Sequence, residues 1–220
     1  MPLSDNGANQ VLDAIANADT AGFPAGDPYI QLHDGDPGLA GTTNIVNVAR
    51  VQAAFGAASG RTLSNSANVD FSSMPAQASP GVVGWSIWDI ADPTPDDGSP
   101  LGACFWTGWF STVAVTAQVD DEDLTNNDIE SPTHGFVADD RVVFEALENF
   151  TVPTGITAGT LYFVIATGLA DDIFRVSTTS GGAALDITAE GQCLVRKVLG
   201  KTTNLNDIFR IPAGDLDLFA

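Results

Sequence analysis

Few side chains in this sequence have the types and spacing needed for acid–base or nucleophilic catalysis. Only two histidines occur, His33 and His134, and both lie among turn-forming residues. No Gly-x-Ser-x-Gly elbow and no His-Glu-x-x-His helix is present. Acidic pairs, one at Asp34 and Asp36 and another at residues 96–97, have the residue type that glycosidic cleavage uses. Because the chain has 28 acidic residues, such pairs arise by chance, and we expect no enzyme and no catalytic residue.

The same carboxylates are of the kind that binds calcium. Asp34 and Asp36, and the acidic run at residues 120–123, supply hard oxygen ligands. The spacing of an EF-hand loop that ends in a bidentate glutamate is absent. Turn formation and solvation explain both groups, so we expect no cofactor, with Ca²⁺ as the alternative.

The four tryptophans are the candidate contact residues. Trp85, Trp88, Trp106 and Trp109 form two pairs with i,i+3 spacing inside apolar runs. Because side chains alternate along a strand, the members of each pair face opposite sides, and we expect one to be buried and one exposed. A buried tryptophan belongs to the core, whereas an exposed one can anchor a subunit interface or stack on a sugar ring.

Composition and charge restrict the partners. Hydrophobic residues make up 44% of the chain and charged residues 16%, which is typical of a globular protein. Acidic residues outnumber the 8 basic ones so strongly that the formal net charge is −20. Such a surface repels polyphosphate and anionic lipid, so we expect no nucleic acid and no membrane partner. Two cysteines, Cys104 and Cys193, are too few for a disulfide framework and are expected to be free thiols.

The hydropathy pattern predicts an all-β protein with one short N-terminal helix. Capping residues followed by apolar residues at helical spacing place the helix at about residues 5–18. Strand patterns separated by turn residues follow at roughly ten-residue spacing, which favours a β-sandwich or jelly-roll-like fold. The predicted strands cover residues 29–32, 44–55, 69–71, 82–90, 103–110, 141–147, 160–166, 173–178, 185–189, 208–211 and 216–219.

These strands fall into two blocks, which indicates an insertion. We expect a host β domain formed by residues 1–113 and 198–220. Residues 114–197 would form a second, small β domain inserted before the last strands of the host. The N-terminus lacks the basic and apolar regions of a secretory signal, so synthesis in a cytoplasm is expected.

Two arms of the sequence resemble a family of small proteins of tailed bacteriophages labelled tail fibre or minor tail protein. The string YIQLHDGDPG at residues 29–38, with GTTN at 41–44, is similar to the family's LHTGDPG and GT.NEV motifs. Asp34 stands where the family has threonine. The string DIFRIPAGDL at residues 207–216 is similar to the family's closing DTFRIPAGDL. The intervening segment also resembles a β repeat of phage tail and fibre proteins.

The resemblance implies a non-enzymatic structural protein of the virion. It would be a capsid decoration, head fibre, minor tail or tail fibre subunit, acting by oligomerisation and by binding to the virion shell. By analogy the expected partners are further copies in a homotrimer and the major capsid or tail proteins. The alternatives are a tail protein that binds a host receptor or surface glycan, and a tail-associated hydrolase.

Overall fold

The computed structural model describes residues 5–16, 28–91, 102–112 and 114–219. Two compact units divide the chain: Met1–Gly108 with Lys201–Ala220 form unit 1, and Trp109–Gly200 form unit 2. That each unit folds as a domain by itself stays a prediction. Most of the segment between the strands predicted at residues 82–90 and 103–110 is a proline-rich stretch for which no strand is expected, and its residues 92–101 lie outside the described residues. None of the described helical residues forms a stretch long and apolar enough to cross a membrane.

The predicted all-β class is confirmed, with strands throughout and one helix, α1 (Asp5–Ala16), among the described residues. The strands are, in chain order, β1 (Tyr29–His33), β2 (Val51–Gln52), β3 (Thr62–Ser64), β4 (Val69–Met74), β5 (Gln77–Val82), β6 (Gly84–Trp88), β7 (Cys104–Trp109), β8 (Val115–Val119), β9 (Ile129–Glu130), β10 (Arg141–Ala146), β11 (Leu161–Val164), β12 (Ile173–Phe174), β13 (Val176–Ser177), β14 (Gly191–Lys197), β15 (Lys201–Thr203), β16 (Asp207–Ile211) and β17 (Asp217–Phe219).

Helix α1 packs on its own unit. Ala8 and Leu12, four residues apart and therefore on one face, are completely buried. The Asn9 side chain accepts a hydrogen bond from the Arg61 amide at 2.8 Å, and the Asp13 carboxylate accepts one from the Ala58 amide at 2.6 Å. The helix is therefore fixed both by apolar burial and by polar contacts to the loop before β3.

Unit 1 consists of one four-stranded sheet and three two-stranded ribbons. The sheet has the order β2-β1-β6-β7. The C-terminal arm, residues 201–219, runs back along residues 62–82, so that β15, β16 and β17 pair antiparallel with β5, β4 and β3. The three ribbons are thus formed between the same two distant parts of the sequence.

Unit 2 is a nearly closed sheet of seven strands in the order β12-β9-β8-β14-β10-β11-β13. The strands at the two ends of this order, β12 and β13, are separated in the chain by Arg175 alone. One short segment therefore pairs with β9 at one end of the sheet and with β11 at the other. Arg175 is held there because its Nε lies 2.6 Å from the Asp128 carboxylate. The interior is aromatic, with Phe144, Phe174 and Tyr162 among its buried side chains.

Two predicted strands are wrong in extent. In the segment predicted at residues 44–55, only Val51–Gln52 is a strand, and isolated bridges occur at Ile45 and Phe55. Val46 and Val48 are buried as a strand would bury them, yet their carbonyl groups accept from the Gln31 side chain. The segment predicted at residues 185–189 also alternates in burial, but only Ala189 forms a bridge.

Other strands were not expected from the sequence. The structure adds β3, β5, β8, β9, β14 and β15, and it splits the strand predicted at residues 173–178 at Arg175. In β5, Pro80 and Gly81 are residues that normally interrupt strands. They are tolerated because β5 pairs only with β15 within the described sheet, and because the register shifts there.

Candidate functional site

Trp85 and Trp88 are both buried within unit 1. Trp85 is 8% exposed and Trp88 is 1% exposed, and every residue of β6 is buried. A Cβ atom on Gly108 would lie 2.5 Å from the Trp85 ring, so only glycine allows β7 to approach so closely. The expectation that one member of this pair is exposed is therefore wrong for the folded chain, because both faces of β6 are covered.

Trp106 and Trp109 are partly exposed on β7. This strand is the edge of the four-stranded sheet as described, with β6 on its inner side. A partly exposed tryptophan on an edge strand presents a large apolar surface without losing its packing on the protein. Of the four tryptophans, these two remain the candidates for contact with a partner or a ligand.

His33 and Arg50 are buried polar residues that contact Trp88 or its hydrogen-bond partner Ser86 within unit 1. The Trp88 indole N–H donates to Ser86 Oγ at 2.7 Å, and Ser86 Oγ lies 2.7 Å from His33 Nε2. His33 Nδ1 must donate to the Thr43 carbonyl at 2.7 Å, so Nε2 accepts from the serine hydroxyl. The Arg50 guanidinium lies 3.7 Å from the centre of the Trp88 ring.

Burial determines the protonation of His33. Desolvation lowers its pKa to about 4, assisted by the positive charge of Arg50 and opposed by the hydrogen bond to Thr43 and by Asp36. The imidazole is therefore neutral at pH 7, in agreement with a network in which one ring nitrogen donates and the other accepts. His33 is a structural group of the sheet.

The loop that follows β1 is closed by its own side chains. Asp36 Oδ1 accepts from the Gly38 amide at 2.8 Å, and the Asp36 carbonyl accepts from Thr43 Oγ1 and from Asn44 Nδ2. Desolvation raises the pKa of Asp34. The residues of the Asp-Gly-Asp-Pro-Gly string therefore build a turn, and Asp36 is occupied in holding it.

The second histidine, His134, also has structural partners. His134 Nε2 donates to the Ala170 carbonyl at 2.9 Å, and its Nδ1 accepts from the Phe136 amide at 2.9 Å. Two neighbouring basic residues near the end of unit 2 form ion pairs, since Arg196 contacts Glu145 and Lys197 contacts Asp140. The acidic pair at residues 96–97 lies outside the described residues.

The acidic run does bring oxygen ligands together, although with a residue that the sequence did not suggest. Carboxylate oxygens of Asp120, Asp123 and Glu130 lie within 4.8 Å of one another. The Gln118 amide donates to Asp120 Oδ2 at 3.3 Å and to Glu130 Oε2 at 3.2 Å, and Asp123 Oδ2 accepts from the Asp120 amide. Protein donors thus already bind part of this group, and Ca²⁺ stays the alternative to the expectation that the chain binds no cofactor.

Unit 2 also has an open groove of about 360 Å³, which the sequence did not predict. The groove lies against β8 and β14 and the segment that contains Phe150, whose ring is 53% exposed. Its signal in the sequence, an isolated Phe150 in a polar turn, is too common to identify a site. It is lined by Gln118, Val119, Asp120, Phe150, Thr151, Glu190, Gly191 and Gln192.

Comparison with known proteins identifies a family for the first half of the chain. The family model described as Podophage GP4 fiber I protein gp80 matches residues 2–114. No curated protein and no solved structure shows significant similarity to the chain. The match confirms, at the level of a phage fibre family, the resemblance seen in the first arm of the sequence, and it includes all four tryptophans.

Proposed function

We propose a function from the premise that the chain belongs to the podophage GP4 fiber I protein gp80 family. It is a non-enzymatic structural subunit on the virion surface of a tailed bacteriophage. It acts by associating with copies of itself, as a homotrimer, and by binding the shell of the virion through a major capsid or tail protein. The family match over residues 2–114 carries this proposal.

The use of polar residues in unit 1 supports a structural role. The histidine and the acidic turn that a hydrolase could use form hydrogen bonds that stabilise the fold instead. His33 is buried and hydrogen-bonded on both ring nitrogens, and Asp36 closes its own loop. A catalytic base needs access to its substrate, which a completely buried imidazole lacks. These side chains therefore favour a scaffold.

Trp106 and Trp109 support self-association. Both are partly exposed on the edge strand β7, and aromatic side chains of this kind dominate the energy of subunit interfaces. Apolar surface removed from water stabilises an interface by about 25 cal/mol per Å² before the entropy of association is subtracted. Many symmetric copies then multiply a modest contact with the virion.

Immunogold electron microscopy of intact virions tests the location. Antibody against the purified chain is expected to label the virion, either over the head or on the tail, and the position of the gold identifies the shell protein that is bound. Absence of label on every virion would contradict the proposal.

Analytical ultracentrifugation tests the interface. The chain is expected to sediment as a trimer, and the double variant Trp106→Ser/Trp109→Ser is expected to dissociate. Val137→Ser is the matched control, because Val137 is 59% exposed and lies away from β7 in the sequence of unit 2. A wild-type monomer, or a double variant that stays trimeric, would rule out this interface.

A further inference from the structure

The groove of unit 2 lies on the side of the sheet turned away from the core. Ala117 and Cys193 point inward and are buried, so their neighbours along the strands, Gln118 and Gln192, point to the opposite face. These two glutamines are direct cross-strand partners on β8 and β14. Their amide groups are therefore presented side by side along one wall of the groove.

An exposed aromatic residue, Phe150, lines the same groove. Phe150 ends a turn closed by a hydrogen bond of 3.0 Å from its amide to the Leu147 carbonyl. The chain after it approaches β14 very closely, since a Cβ atom on Gly191 would lie 2.4 Å from the Thr151 carbonyl oxygen. Glycine at residue 191 thus shapes the groove and fixes the segment that carries the ring.

The hydrogen-bonding groups of the groove are both donors and acceptors, with no cation among them. Gln118 is oriented by its contacts with the carboxylates of Asp120 and Glu130. The side chains of Glu190 and Gln192 make no hydrogen bond within the described part of the chain. No lysine or arginine lines the groove, so an anionic ligand would be repelled.

We infer that this groove binds a pyranose ring of a neutral saccharide. The Phe150 ring covers the apolar C–H face of the sugar, as aromatic side chains cover apolar surface elsewhere. The carboxylates of Asp120 and Glu190 accept hydrogen bonds from sugar hydroxyls, and such charge-assisted bonds are the stronger kind. The Gln192 amide donates to one hydroxyl and accepts from another.

The donor and acceptor pattern favours a sugar hydroxyl over a basic side chain. A lysine or arginine side chain only donates, so it offers no acceptor to the N–H groups of the Gln192 amide. A hydroxyl group both donates and accepts and matches amide and carboxylate alike. This inference goes beyond the structural role proposed above, and either one can fail without the other.

Nuclear magnetic resonance of the full-length, ¹⁵N-labelled chain tests the inference. The probes are the methyl glycosides of glucose, galactose, mannose and N-acetylglucosamine, with N-acetylneuraminic acid and tetralysine for comparison. At least one neutral glycoside is expected to shift the amide signals of Phe150, Gly191 and Gln192 with saturable affinity. Phe150→Ala and Gln192→Ala are each expected to weaken that affinity about tenfold or more.

Val137→Ala is the matched control, because it removes another exposed apolar side chain of unit 2 outside the groove lining. It is expected to leave the affinity unchanged. The inference would be overturned if no neutral glycoside shifted these amides, or if only tetralysine or N-acetylneuraminic acid did so. Shifts that persist in Phe150→Ala would equally place the sugar elsewhere.

Discussion

At the scale of the residue, the side chains that looked chemically active serve the fold. His33, Asp36 and His134 each have hydrogen-bond partners within their own unit. Those partners are backbone amide and carbonyl groups and, for His33, also the Ser86 hydroxyl. The sequence predicted structural or surface roles for both histidines, because turn residues surround them. It could not predict the network of His33, since Ser86 and Trp88 are brought to it by the pairing of β1 with β6.

Replacement of His33 tests the buried network through its pH dependence. The pKa of about 4 in the folded chain lies below the usual 6.5, so between these values the unfolded chain binds more protons. The stabilising contribution of His33 is complete above pH 6.5 and is lost as the pH falls to 4, by about 3 kcal/mol.

The variant His33→Gln does not titrate in this range. Its free energy of unfolding, measured with urea, is expected to lie below that of the wild type at pH 7, with the gap narrowing as the pH is lowered. A gap that stays constant between pH 7 and pH 4 would show that His33 is not buried in its neutral form.

At the scale of the element, the C-terminal arm is the part of unit 1 that most needs explanation. Asn65, which is 2% exposed, joins the arm to the end of β3. Its side chain accepts from the amides of Gly214 and Leu216 and donates to the carbonyl of Pro212. One buried amide thus satisfies the backbone of the turn between β16 and β17.

Removal of this amide is expected to destabilise unit 1. Asn65→Ala leaves the buried Leu216 amide and the part-buried Pro212 carbonyl without this partner, which costs about 2–3 kcal/mol in the free energy of unfolding. The matched control is Asn68→Ala, whose exposed side chain makes a single bond of 3.1 Å to the Ala213 amide. Urea denaturation of both variants measures the difference, and equal losses would contradict the role given to Asn65.

The elements that could be predicted from the sequence are short runs rich in apolar and aromatic residues. β1, β10 and β16 were found close to their true bounds for this reason. β14 was missed because Arg196 and Lys197 look solvent-exposed until Glu145 and Asp140 are brought beside them. The groove was missed for a similar reason, since Phe150 and Gln192 are joined only by the fold.

At the scale of the whole molecule, the net charge of −20 acts on stability. Like charges repel each other across a compact surface more than along an extended chain, and salt screens that repulsion. Raising sodium chloride from about 20 mM to about 500 mM shortens the screening length roughly fivefold. The thermal unfolding temperature is expected to rise by a few degrees.

Calorimetry in buffer with a chelator measures this effect without interference from divalent ions at the acidic residues. Sodium chloride is preferred to sulfate, because sulfate strengthens apolar burial by itself. A fall in the unfolding temperature would mean that ion pairs such as Arg175 with Asp128 contribute more than the overall repulsion.

The pairing of the C-terminal arm also has a consequence for the order of events during synthesis. β3, β4 and β5 leave the ribosome before unit 2 does, yet their partners β17, β16 and β15 follow unit 2 in the chain. Every strand from β8 to β14 therefore emerges before those partners do. Unit 1 is thus begun before unit 2 and completed after it, and a chain that stops within unit 2 displays unpaired strand edges of unit 1 to its neighbours.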